Sequence, residues 1–203
     1  MSIFSSRNDR LSGFEKQVWP IAAGHIILTI IIFFIASGHS MADSTLTDEE
    51  KKTLVYTMYQ NYKKNDFPDV PDIHPEQAME LLRAGKVIFV DTRSQPEMDI
   101  SMLPDAISQS AFLKNPEKFK DKTVIAYCTI SYRSGKFTQD MNKKKNQIYN
   151  LTGGILAWVL EGGKIYNKTG ETKQIHVYGE NWDYPANGYE SVQFGFFEKL
   201  FGS

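Results

Sequence analysis

One cysteine, Cys128, stands in a chain of 203 residues, which excludes any disulfide within the chain. Histidine is nearly as scarce. His25, His39, His74 and His176 are scattered without ligand spacing, so a structural zinc site has no support and any chemistry is expected to be metal-free. Neither sign of charge is in excess: 23 basic and 24 acidic residues leave a formal net charge of −1. That balance gives no electrostatic reason to expect nucleic acid or strongly charged substrates. Internal repeats and low-complexity tracts are missing as well. The remaining composition, 41% hydrophobic, is that of a chain able to fold one domain of ordinary size with extensions.

Formal charge is also absent between Lys16 and Asp43. Within that gap residues 18–38 make an apolar run of about 21 residues, close to the roughly 20 that cross a bilayer as a helix. Arg7, Arg10 and Lys16 precede it, whereas Asp43, Asp48, Glu49 and Glu50 follow. The asymmetry places the N-terminus in the cytoplasm and everything after residue 40 across the membrane. Three readings remain open. The run is a retained anchor, with Trp19 suited to the interface; or a signal peptide with its apolar region over residues 21–36, cut after Ala42 behind small Ser40; or a buried core helix. In the first two the rest of the chain faces an extracytoplasmic compartment, the periplasm in a bacterium with two membranes.

The remainder divides into a connector (43–70), a domain (71–165) and a C-terminal extension (166–203), after the anchor or signal region (1–42). In the connector, Thr47 and Glu50 have the spacing of a helix capping box. Leu54, Val55, Met58, Tyr59 and Tyr62 then fall on one helical face, and the helix is expected to end near NDFPDVPD and to pack on the following domain, with a spacer or a wall of the substrate cleft as the alternative. Pro75 opens a second helix, PEQAMELLRAG, with Gly85 as its stop. KVIFVD and TVIAYC read as buried strands, SGKFTQDMNKKK as a helix, IYNL as a strand, and a glycine turn leads into a helix through Ala157 and Trp158. This alternation predicts an α/β fold with a central, mainly parallel sheet, preceded by the transmembrane or signal helix. After residue 164, KQIHVYG alternates like a short strand. The aromatic tail at Phe194, Phe196, Phe197, Leu200 and Phe201 is too short to span a membrane and is read as packing on the domain, with a membrane surface or partner as the alternative.

Cys128 ends a strand and is followed by a short loop and a helix, so it sits where ligands bind in parallel sheets. It is either an inert core thiol or a nucleophile. Consecutive backbone N–H groups and the positive end of a helix dipole, aimed into one concavity, stabilise thiolates and oxyanions. Such a field lowers a cysteine pKa from about 8.5 towards neutrality. Thr129, Ile130, Ser131, Tyr132 and Ser134 are expected to contribute mainly backbone N–H groups, with Tyr132 shaping the entrance. Arg133 is the candidate contact for an anionic donor or for the loop anion, with a structural ion pair as the alternative. Asp91 and Arg93, at another strand end, are read as an ion pair bracing that strand, with a supporting role at the cleft as the alternative.

Cys128, four intervening residues, Arg133 and Ser134 resemble the active-site loop of the rhodanese family of sulfurtransferases; tyrosine and dual-specificity phosphatases place five residues between Cys and Arg. VDTRSQPEMDISMLPDAI, with Asp91, Arg93, Pro104, Ala106 and Ile107, and LTGGILAW, with Gly153, Gly154 and Trp158, resemble two further segments of that family, in its order. The resemblance covers about residues 72–165. It implies a rhodanese-like three-layer fold and a thiosulfate sulfurtransferase-like activity. A Cys128 thiolate would take the outer sulfur of a donor such as thiosulfate and pass it to a thiol, cyanide or a protein acceptor, with no metal or organic cofactor. Two departures are visible. Ser131 stands where the family commonly has glycine, which implies loop strain if that position has positive φ. Met102-Leu103-Pro104-Asp105-Ala106 replaces a His-Ile-Pro-Gly-Ala turn. The alternatives are a phosphatase or arsenate reductase of related fold, disfavoured by the spacing and by Tyr127, and a non-catalytic binding module at the membrane.

Overall fold

In the computed structural model the described residues are 46–144 and 146–194. These residues belong to one compact unit. Helix α1 (Asp48–Asp66) starts at Thr47, whose hydroxyl accepts from the Glu50 N–H while the Glu50 carboxylate takes the Thr47 N–H at 2.8 Å, which is the expected capping box. Val55 and Tyr59 are its buried positions; Leu54 lies on the expected apolar face but is exposed.

A five-stranded sheet follows. Its strands are β1 (Asp72–Ile73), β2 (Val87–Asp91), β3 (Ile107–Ser108), β4 (Thr123–Tyr127) and β5 (Ile148–Leu151), in the order β1-β5-β4-β2-β3. All four pairings are parallel. The helices between strands are α2 (Pro75–Arg83), α3 (Gln95–Ile100), α4 (Gln109–Lys114), α5 (Tyr132–Lys143) and α6 (Gly154–Leu160). Side chains alternate across a strand, and the two central strands use both faces. Val87, Phe89, Ile125 and Tyr127 join one core with Val55, Ala78 and the residues of α6. Ile88, Val90, Val124 and Ala126 join another with Phe112 and Met141. Burial on both sides is why these strands read as continuous apolar runs. The result is a three-layer α/β fold, as expected for this part of the chain.

The chain then adds a hairpin, β6 (Ile165–Asn167) with β7 (Gly170–Thr172), and a parallel pair, β8 (Gln174–His176) with β9 (Glu190–Val192). Ile175 and Val177 enter the first core, so this extension packs onto the domain. No helix among the described residues is long and apolar enough to cross a membrane. The span expected over residues 18–38, the cleavage expected after Ala42, and Phe196, Phe197, Leu200 and Phe201 of the aromatic tail lie outside the described residues.

Candidate active site

Central strand β4 delivers Cys128 to the carboxyl edge of the sheet, with β5 on one side and β2 on the other. The loop from Cys128 to Ser131 is held by its carbonyl groups. Cys128 O accepts from the Ile155 N–H at 2.9 Å and Thr129 O from the Leu156 N–H at 3.3 Å. Ser131 O accepts from the Gly135 N–H at 3.0 Å and from the Asn150 side chain at 3.2 Å. The N–H groups of Thr129 to Ser134 have no acceptor among the described residues. Carbonyls are thus spent on scaffolding and donors remain around the thiol, an arrangement that favours an anion.

Two backbone positions make this possible. Ser131 has φ 71 and ψ 11, in the left-handed region, where a residue other than glycine is disfavoured by roughly 1–2 kcal/mol. Its hydroxyl donates to Leu151 O, so the side chain that causes the strain also anchors the loop to β5. Behind the loop, Gly154 has φ +62, and a Cβ there would lie 2.4 Å from Cys128 O. Only glycine lets α6 approach closely enough to bind those carbonyls. In the turn after α3, Asp105 also has positive φ, 54°.

Cys128 is buried from bulk solvent but lines a cavity of about 480 Å³ together with Tyr62, Thr129, Ile130, Tyr132, Arg133, Tyr178 and Trp182. Ser131 and Ser134, expected at the site, are fully buried and do not line this cavity. Tyr132 stands at the entrance, its ring edge-on to Tyr62 with centroids 5.1 Å apart. Asp91 and Arg93 form a buried ion pair at 2.7 Å away from the cavity, and Arg93 also donates to Ser101 O.

Arg133 lines the cavity and is bound in bidentate fashion by Glu97, Nη1 at 2.8 Å and Nη2 at 2.7 Å. Sequence reasoning did not single out Glu97. It is buried on α3, accepts the Ser94 N–H at 2.9 Å, and lies 3.2 Å from His176 Nδ1. Burial opposes its ionisation. The hydrogen bonds from Arg133, the approach of His176, the Arg133 charge and the Ser94 N–H outweigh that and hold Glu97 well below the usual carboxylate range. The signal available in the sequence was Ser94-x-x-Glu97, a capping-box spacing, but it carries no hint of Arg133 or His176. Also missed were Tyr178, whose ring centroid lies 5.9 Å from the Arg133 guanidinium carbon, and Trp182. Among the described residues no group of three or more His, Cys, Asp or Glu side chains is placed to hold a metal ion.

With this geometry in place, residues 74–161 match the family described as Rhodanese-like domain, and that segment is a rhodanese-like domain. Among curated proteins, a tRNA uridine(34) hydroxylase of Onion yellows phytoplasma is 25% identical over 137 residues, covering 60% of this chain and 42% of that protein. An uncharacterised protein of Synechocystis is 33% identical over 94 residues, covering 44% of this chain and 52% of its own length. A solved thiosulfate sulfurtransferase from Pseudomonas aeruginosa aligns with 57% of this chain and 23% of its own, at 19% identity and a TM-score of 0.47. The chain thus spans about half the length, or less, of these curated relatives.

Proposed function

We propose that the rhodanese-like domain is a sulfurtransferase that works through a persulfide on Cys128. The supporting observation is the loop itself: a thiol at a strand end, followed by backbone donors without acceptors among the described residues. With thiosulfate as donor, the Cys128 thiolate attacks the outer sulfur. A bond forms between Sγ and that sulfur, the sulfur–sulfur bond of the donor breaks, and sulfite leaves with its electron pair. The enzyme holds the persulfide anion among the loop N–H groups. An acceptor thiol, cyanide or protein then removes the sulfur. The hydroxylase activity named for several relatives is not carried over, because this chain spans less than half of those proteins.

Intact-protein mass spectrometry tests this. The full chain is incubated with thiosulfate and freed of excess donor. The expected result is a gain of one sulfur atom, reversed by cyanide and absent in Cys128→Ser. No gain with thiosulfate or with an organic persulfide, on reduced and alkylatable Cys128, would sink the proposal, and turnover of an aryl phosphate would then favour the phosphatase alternative. Residues 18–38 are proposed to tether the domain to a membrane. Alkaline extraction of membranes is expected to leave the chain in the pellet; release of a shortened chain would favour cleavage after Ala42.

A further inference from the structure

Beyond the loop N–H groups that serve the sulfur donor, the cavity over Cys128 is walled for something other than a small inorganic anion. Among the described residues Arg133 is its only formally charged lining residue, and both terminal nitrogens of that guanidinium are bound to Glu97. The pair is close to neutral, so beyond the loop N–H groups nothing in the wall offers uncompensated positive charge. The rest of the wall is aromatic. Tyr62 and Tyr132 meet edge to face at 5.1 Å, Tyr178 and Trp182 at 5.9 Å, and the Trp182 indole N–H donates to the Tyr62 hydroxyl at 3.3 Å. The ring contacts and the indole bond hold this wall in one arrangement. A volume of about 480 Å³ is in the range that encloses an organic molecule and far exceeds what an inorganic oxyanion fills. Tyr62, Tyr178 and Trp182 also lie outside residues 74–161, so the wall is supplied by segments flanking the rhodanese-like domain.

We infer that the sulfur acceptor is a low-molecular-weight organic thiol with a flat apolar body, seated between Tyr62, Tyr132, Tyr178 and Trp182. The inference rests on the sulfurtransferase reading and gives it a substrate class. The acceptor thiolate attacks the outer sulfur of the Cys128 persulfide. The new sulfur–sulfur bond forms on the acceptor, the bond to Sγ breaks, and its electron pair stays on Sγ, which regenerates the Cys128 thiolate. The product is the acceptor persulfide, and no other reactant is needed. Planar apolar groups pack well on such rings, and the neutral Arg133–Glu97 pair adds no penalty for an uncharged body.

The test has two independent arms, both on the full chain. In the first, thioanisole, a flat apolar probe that cannot react, competes with alkylation of Cys128 by iodoacetamide. Saturable protection is expected, with the half-protecting concentration raised about tenfold in Trp182→Ala and in the more conservative Tyr178→Ser, the loss of one aromatic contact. In the second, persulfide-loaded protein is offered thiophenol or 2-mercaptoethanol at equal thiolate concentration. Transfer to thiophenol should saturate, and the aryl-to-alkyl ratio of kcat/KM should fall about tenfold in either variant. Absence of protection up to the solubility of thioanisole, or a ratio unchanged in both variants, overturns the inference. Protection without any persulfide loading overturns the sulfurtransferase reading and the acceptor role with it, so the two failures are distinguishable.

Discussion

The loop that holds Cys128 and the wall that faces it are built in opposite ways. The loop is a backbone construction: Gly154 permits the approach of α6, two carbonyls are bound by Ile155 and Leu156, and Ser131 is pinned to β5. The wall is a side-chain construction, in which Tyr62 from α1 meets Tyr178 and Trp182 from the extension. Backbone donors serve any anion that develops at the sulfur, so the loop specifies a reaction. Aromatic faces discriminate by shape, so the wall specifies a partner in that reaction. One residue joins the two. Glu97 binds Arg133 of the loop segment and lies against His176 of the extension.

If that division holds, damage to the loop scaffold should cost both stability and reactivity, whereas damage to the wall should cost mainly selectivity. Gly154→Ala is the strongest expected case. It combines a left-handed backbone, roughly 1–2 kcal/mol, with a collision against the Cys128 carbonyl, typically another 1–3 kcal/mol. Urea denaturation should show a loss of about 3 kcal/mol, with sulfur uptake falling in the folded fraction as well. Tyr178→Ala, half-exposed in the wall, should stay within about 0.5 kcal/mol of the parent. Equal losses in the two variants would erase the distinction.

Glu97→Ala probes the junction. Removing one member of a buried ion pair costs about 3–5 kcal/mol. The side chain of Arg133 is 36% exposed against 3% for Glu97, so water can partly replace the carboxylate, and a loss of about 2 kcal/mol is expected. The pH dependence has a definite sign. The native pKa of Glu97 is depressed from its ordinary 4.5, so its contribution is complete above that value. It declines as the pH drops below it and is gone once the pH has passed through the depressed native value. The parent should therefore lose more stability than Glu97→Gln between neutral pH and strong acid; parallel curves would show that the carboxylate charge is immaterial.

His176→Leu should have a smaller effect, about 1 kcal/mol, the scale of one buried polar contact. It removes the contact with Glu97 while keeping an apolar side chain against the ring of Phe194, whose centroid lies 4.3 Å from the imidazole. Limited proteolysis is expected to cut the extension faster, and Cys128 to be alkylated faster, with the stability of the sheet little changed. Slower alkylation would mean that the extension does not shield the thiol.

What was legible in the sequence follows from range. The strands over residues 87–91 and 123–127 announce themselves because burial on both faces makes them locally apolar. The capping box at Thr47 is visible because its partners lie three residues apart. β1 and β3 have two residues each, too few for any period to register. The position of Cys128 could be read from the strand-loop-helix order, and the positive φ at Ser131 was anticipated on the condition that the loop follows its relatives. Glu97 could not be read, because its binding of Arg133 and approach to His176 depend on the fold bringing α3, α5 and β8 together. The wall is only half visible for the same reason: the helix bearing Tyr62 could be read as a wall of the cleft, but its meeting with Trp182 exists only in three dimensions.

Ser131 gives the finest comparison, since its side chain both strains the loop and secures it. Ser131→Gly relieves a left-handed cost of roughly 1–2 kcal/mol but removes a buried hydrogen bond to Leu151 O, worth about 1 kcal/mol, and gives the unfolded chain more freedom. These effects oppose each other, and the variant should stay within about 1 kcal/mol of the parent. Ser131→Ala keeps the strain and loses the bond, so it should be less stable than either by about 1 kcal/mol. Thermal denaturation of the three proteins orders them directly. Should Ser131→Ala match the parent, the hydroxyl contributes nothing to holding the loop, and the bonds from Ile155, Leu156 and Asn150 suffice to keep the donors around Cys128.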